Sequence, residues 1–437
     1  MNAFSIQRIK YTGPLALAIV FMPFSVLLCH LGLLIFAIVW LAEGDWEGKW
    51  ETIRKNPVVF IFIFFFLLHA AGVIYSSDQQ NAWFNLEKKF SLAILPLMLV
   101  SIKLERDDAR KLFHIFVITC VVASLICLVL AINKALLSSS SFIFDSYNAA
   151  TYYANTTTSN IWTYFSYTEL ASGIGIHPTF FSLYLVFCVF LLIHFYAESF
   201  ASFAFGKKVL LLALLIYLSV FVLFLSSRIM IFALLIVSFY GLKLFLKTAS
   251  FTTQWITSFI TIMLFFCFIY VNPVSRFRNF QEIVSTWPYV KPGFQRESTT
   301  IRASLWSLSI KSVPKINWLI GTGTGDVEHL IAETGKTANV TNVMGSNDPH
   351  NQYLQTLLGL GILGLVTLII CFAWPTLLAY QTGNFLYLGF IFLIVILCVT
   401  ETAIERQKGI VFYSLFNSLI LFQFNPVKSE SMKMTIA

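Results

Sequence analysis

Long apolar runs separated by short polar breaks cover almost the whole 437-residue chain. A helix that crosses the roughly 30 Å hydrocarbon core of a bilayer needs about 17–25 apolar residues. Runs of that order recur at 12–28, 30–43, 57–75, 89–102, 111–133, 177–197, 208–226, 229–247, 254–272, 352–379, 385–401 and 407–424. They predict an all-α, polytopic membrane protein with about twelve spans. The first two runs are short and divided by little more than Cys29, so one long bent helix is the alternative there, and the run at 89–102 contains Pro96. The pattern sets out nine spans over 1–272, a large polar loop at 273–350, and three more spans with a tail over 351–437. A second polar stretch, 134–176, is nearly uncharged and rich in Ser, Thr, Asn and Tyr, which suits a glycan-contacting surface. No tandem repeat stands out.

Composition sharpens this picture. The chain is 58% hydrophobic and only 11% charged, where soluble proteins carry about 25% charged residues. A net charge of +8 without a compact basic domain argues against nucleic acid as a partner and for basic loops on the cytoplasmic side. With the N-terminus inside, the short inner segments hold 15 Lys and Arg against 6 in the short outer ones. Both termini are therefore expected in the cytoplasm, with 134–176 and 273–350 outside. The longer loop mixes eight basic with six acidic residues. It also contains a helix-like stretch from Glu297 to about Val313, with Ile301, Leu305 and Leu308 on one face. All seven cysteines lie in apolar runs, which implies neither a disulfide framework nor a thiolate metal site. The first apolar run passes signal-peptide length and is expected to be retained.

Candidate chemistry gathers at the end of the large outer loop. In Asp348-Pro349-His350-Asn351, Asp348 suits an N-cap and Pro349 a first helical position, which places His350 in the first turn of the next span. A neutral imidazole there can serve as a general base; the competing reading is a hydrogen-bonded histidine at a loop–helix junction. Gly359, Gly361 and Gly364 follow at a spacing that lets membrane helices pack closely. Arg228, after Ser226-Ser227 at a junction between two spans, is a candidate for binding phosphate, against simple snorkelling to the interface. Arg302 is a second such candidate, with Arg276, Arg278 and Arg296 as competitors in the same loop. The segment Gly321-Thr322-Gly323-Thr324-Gly325-Asp326 lacks the spacing and the strand–helix context of a nucleotide loop and reads as a flexible turn near the membrane surface. Asp326 and Glu328 are minor candidates for sugar contact. His177, before Pro178, either lines the same outer cavity or starts a helix at the interface. No carboxylate or histidine pair stands at metal-binding spacing, so neither a metal nor another cofactor is expected.

Several of these features together resemble the O-antigen ligase and polymerase family of membrane glycosyltransferases. They are His350-Asn351 followed by Gly361 and Gly364, Ser226-Ser227-Arg228, Arg302 with Trp306, the Gly-Thr-Gly turn, and the long outer loop between the ninth and tenth spans. The likeness is strongest over 170–365. It implies a polyprenyl-dependent (GT-C-like) architecture in the bacterial inner membrane, with the active site facing the periplasm. The donor would be a glycan on undecaprenyl diphosphate and the acceptor lipid A-core or another glycan, with no nucleotide sugar in the transfer step. Arg228 and Arg302 would hold the diphosphate, His350 would deprotonate or orient the acceptor hydroxyl, and Asn351 and His177 would contact substrate. Attack opposite the leaving group would invert the anomeric centre without a metal. The short segments 380–384 and 402–407 leave no second long outer loop, which favours a ligase over a polymerase. A protein O-oligosaccharyltransferase of the same family is a further alternative. A transporter or flippase of lipid-linked glycans is the rival from another class, although the candidate charges here sit at outer ends rather than mid-membrane.

Overall fold

The computed structural model describes residues 3–138, 161–247, 250–271, 298–338 and 347–424. These are helical, with no strand among the described residues and one isolated bridge between Asn317 and Gly321. In chain order the helices are α1 (Ala3–Phe21), α2 (Val26–Ala42), α3 (Trp46–Arg54), α4 (Val58–Ile74), α5 (Gln79–Ser101), α6 (Arg106–Leu137) and α7 (Tyr167–Ala171). There follow α8 (Pro178–Tyr196), α9 (Phe205–Leu225), α10 (Arg228–Phe245), α11 (Phe251–Val271), α12 (Ser298–Ser312), α13 (Val327–Thr337), α14 (Gln352–Gln381), α15 (Phe385–Thr400) and α16 (Gln407–Ser418).

Among the described residues, five helices are long and apolar enough to cross a membrane: α6, α8, α9, α10 and α14. A sixth is reached if α2 and α3, bent by 111°, are one broken span. The break between the first two apolar runs falls at residues 22–25, not at Cys29, which is buried inside α2. Pro23 explains the shift, because it lacks the N–H that a continuing helix needs and disfavours helical backbone in the residue before it.

The chain divides into two compact units. One comprises 1–18, 26–112 and 283–437; the other comprises 19–25 and 113–282. In the second unit α8 packs against α9 and α10. Helix α8 is apolar on every side, and 83% of its span is buried, as expected of a helix at the centre of its neighbours. In the first unit α4 packs on α5 and α14, α16 on α5, and α15 on α14. The loop helices α12 and α13 join this bundle through one apolar cluster of Leu305, Leu308, Val327, Ile331 and Leu358. Burying each such side chain contributes about 1.5–3 kcal/mol, enough to fix the loop helices on the start of α14.

Helix α14 is broken at Gly361, whose φ of 62° and ψ of −161° suit glycine alone. The break is filled by the Gly-Thr-Gly turn. Thr322 and Gly323 donate their N–H groups to the carbonyls of Leu358 and Gly359 at 2.9 Å. The N–H groups of Ile362 and Leu363 donate back to Trp318 and Leu319 at 2.9 and 3.2 Å. Backbone groups freed within an apolar helix are tolerated only where protein satisfies them, and here the turn does so. The approach is close: a Cβ on Gly361 would lie 2.4 Å from the Leu319 carbonyl, and one on Gly321 would lie 2.5 Å from Gly359. The glycines therefore accommodate a docked loop rather than a neighbouring helix.

Candidate active site

The same turn is fastened at its far end. Asp326 accepts hydrogen bonds from the N–H groups of Ser77 and Asp78 at 2.7 and 2.8 Å, at the corner between α4 and α5. The Thr324 hydroxyl donates to the His69 carbonyl at 2.8 Å, and the Gly325 N–H donates to the Ser76 hydroxyl at 3.0 Å. The expectation of a flexible turn is thus overturned, because the segment is hydrogen-bonded along its length. Asp326 clamps the α4–α5 corner.

His350 is not in the first turn of a helix. Asn351 is the N-cap of α14, its Oδ1 accepting the N–H groups of Tyr353 and Leu354 at 3.0 Å. The Asn351 amide donates to the Val399 carbonyl at 3.0 Å. The cap thus lies three residues later than Asp348, and Asn351 has a local role instead of a demonstrated hold on substrate. Asp348 shapes the preceding turn, its Oδ1 accepting the His350 N–H at 2.8 Å, an Asx-type bond that mimics a backbone turn. His350 adopts a left-handed φ of 47°, a conformation that costs a non-glycine residue roughly 1–2 kcal/mol and is concentrated at functional sites.

Glu401 is the residue around which the site is built. It is 5% exposed and caps the C-terminal end of α15, where the helix dipole disfavours a negative charge. Two partners offset that. Arg302, on α12, donates to Glu401 Oε1, and His350 Nδ1 stands 3.2 Å from Glu401 Oε2. With Nδ1–H donating to the carboxylate, Nε2 carries the ring's lone pair. Nε2 makes no hydrogen bond among the described residues, and the ring is about one-quarter exposed. The orientation of His350 therefore comes from Glu401 rather than from a helix terminus. Asp348 is held in turn by the Thr402 hydroxyl at 2.7 Å and by Arg406 at 2.6 Å.

The structure brings His350, Arg302 and Asn351 into one region of the first unit. Arg228 and His177 belong to the second unit. Arg228 opens α10 behind Ser226 and Ser227, and Ser226 is left-handed with φ 53°. His177 caps α8 with its own ring, Nδ1 accepting the Thr179 N–H at 3.4 Å while the ring meets Tyr167 and Phe180 edge-on. This is the helix-start reading of that residue. Arg276, Arg278 and Arg296 lie outside the described residues, as do 139–160 of the neutral loop. Glu401, Thr402 and Arg406 were missed from sequence; the available signal was a run of polar residues at 401–408 between two apolar segments.

Residues 211–369 match the family model described as O-Antigen ligase (Wzy_C). Over this segment, a little over a third of the chain, the sequence is similar to the O-antigen ligase family. The matched O-antigen ligase segment contains Arg228, Arg302, His350 and the glycines at the break in α14. Glu401, Thr402 and Arg406 lie beyond it. No curated protein matches the chain. The likeness to the O-antigen ligase family and the helices long and apolar enough to cross a membrane both support a membrane protein.

Proposed function

We propose that the protein is an O-antigen ligase that transfers a glycan from undecaprenyl diphosphate to lipid A-core at the periplasmic face of the inner membrane. The observation that carries this reading is Glu401, which pairs with both His350 and Arg302 beside a family-matched segment. A carboxylate-oriented imidazole with an open Nε2 is suited to remove the proton of an acceptor hydroxyl as that oxygen attacks the anomeric carbon. The bond from that carbon to the diphosphate oxygen breaks as the new glycosidic bond forms, which inverts the centre. Arg302 uses one guanidinium nitrogen on Glu401 and retains other donors for the departing diphosphate, where fixed positive charge stabilises what develops. Arg228 is included as a further phosphate ligand by resemblance alone.

Helices occupy each of the twelve apolar runs, and the charge bias of the short loops supports twelve crossings with both termini cytoplasmic. The test is silver-stained lipopolysaccharide from a deletion strain, beside a blot for carrier-linked glycan. A ligase predicts loss of capped lipopolysaccharide while long carrier-linked chains persist. Single repeats on the core with no long chains on the carrier would assign a polymerase instead. An unchanged profile of both would remove the reading.

A further inference from the structure

Asp348 also lines a cleft in the first unit, formed by the starts of α5 and α13, the first turn of α14 and residues 405–406. Its lining includes none of His350, Arg302 or Glu401. Much of its charge is already matched within the protein. Arg406 pairs with Asp348 at 2.6 Å, and Glu405 pairs with the fully buried Lys89. What remains unmatched is specific. Gln355 Oε1 is buried and without a hydrogen-bond partner among the described residues. Glu328 makes no ion pair or hydrogen bond among them. Lys88 donates to Asn85 Oδ1 at 2.9 Å and keeps two further N–H donors. A buried acceptor left unpaired is costly, so a hydroxyl donor entering the cleft would be favourable at Gln355 Oε1.

The chemistry of the occupant follows from this set. Arg406 and Lys89 match Asp348 and Glu405, which leaves Glu328 and Lys88 as the charges not already paired; they sum to zero, which suits an occupant with no net charge. Open acceptors beside an ammonium group suit a molecule with several hydroxyls, each able to donate and accept. We propose that this cleft is a sugar subsite, holding one hydroxyl-rich residue of the glycan that carries no negative charge, with Gln355 and Glu328 accepting its hydroxyl hydrogens and Lys88 donating to its oxygens. The inference rests on the transferase reading above and adds to it a place where sugar, not phosphate, is recognised. Because Asp348 also holds the His350 turn, an occupied cleft sets a sugar beside the residues that react.

The test uses the purified full chain in lipid nanodiscs and saturation-transfer NMR, with galactose and glucuronate as probes and inorganic pyrophosphate as competitor. Galactose is expected to receive saturation, glucuronate not, and pyrophosphate is expected not to displace galactose. The galactose signal should fall about fivefold or more in Glu328→Gln/Gln355→Leu, the loss expected for hydrogen bonds removed. If that double variant fails to fold, Glu328→Gln alone is read, with the same direction expected. Equal galactose signals in wild type and variant, an equal signal from glucuronate, or displacement by pyrophosphate would each overturn the subsite. His350→Ala separates the two readings. It should keep the galactose signal while losing glycan transfer, whereas transfer retained in His350→Ala removes the catalytic reading and leaves the sugar signal to decide the subsite.

Discussion

Glu401 Oε2 lies 3.2 Å from His350 Nδ1, while the other oxygen of the same carboxylate holds Arg302. One buried carboxylate thus sets the direction of a candidate base and of a candidate phosphate ligand. Replacing Glu401 by Gln keeps the volume and removes the charge. Transfer in a purified donor–acceptor assay should drop by about 10- to 100-fold, by analogy with losing the carboxylate behind a metal-bound histidine. The loss is expected in kcat, with donor KM little changed. Wild-type turnover in Glu401→Gln would detach the carboxylate from the chemistry.

His350→Ala removes the proposed base itself. A positioned general base contributes on the order of 10²–10⁴ in rate, so turnover should fall by that factor at matched membrane expression. Because His350 pays a left-handed backbone strain, His350→Gly should also lose transfer while melting no lower than wild type. A thermal shift assay beside the transfer assay reads both.

Gly361→Ala tests the docked turn. The new methyl meets the Leu319 carbonyl at 2.4 Å, on a residue with φ of 62°. Overpacking costs about 1–3 kcal/mol, to which the left-handed backbone adds about 1–2 kcal/mol. The variant should show a lower Tm and lower membrane abundance. Gly206→Ala, where a Cβ meets nothing within 4 Å, is the control and should leave both unchanged.

Asp326→Ala removes the acceptor for the N–H groups of Ser77 and Asp78. Hydrogen bonds to a charged group contribute about 1.5–3 kcal/mol, discounted here by partial exposure to the lower end. Limited proteolysis within 318–326 should accelerate relative to wild type, and an unchanged digestion pattern would contradict the clamp.

Glu328 supplies a pH dependence. Burial, then the nearby charge of Asp348, raises its carboxyl above the ordinary 4.5, opposed by Arg406 and Lys88. The folded protein therefore binds this proton more tightly than the unfolded chain does. Its contribution to stability is present at low pH and lost as pH rises through the raised value. Glu328→Gln should accordingly reduce the fall in Tm between acidic and neutral buffer, measured by scanning both proteins across that interval.

The helical class and the place of each apolar segment were legible because membrane helices announce themselves by length and hydropathy alone. The chemistry was legible in part. His350 stood out by its motif and Arg302 was one of four arginine candidates in the long polar loop, and the structure sets the two on a common carboxylate. Glu401 did not, because it joins residues 51 and 99 positions away and reads in sequence as the polar end of an apolar run. The cap was misplaced for a related reason: Asp348 and Asn351 are both good cap residues, and only the tertiary pull of Thr402 and Arg406 on Asp348 decides between them. The glycines were read as helix-packing residues because their actual partner, the 318–323 turn, approaches through backbone atoms that no side-chain pattern reports.

The hydrogen bonds from the α4–α5 corner to Asp326 join residues 248 and 249 positions apart. At a synthesis rate of about 5–20 residues per second, this corner waits roughly 10–50 s on the ribosome before its partner exists. The α4–α5 corner is therefore made with the amide groups of Ser77 and Asp78 still lacking their Asp326 partner. It becomes complete only when the last third of the chain has emerged.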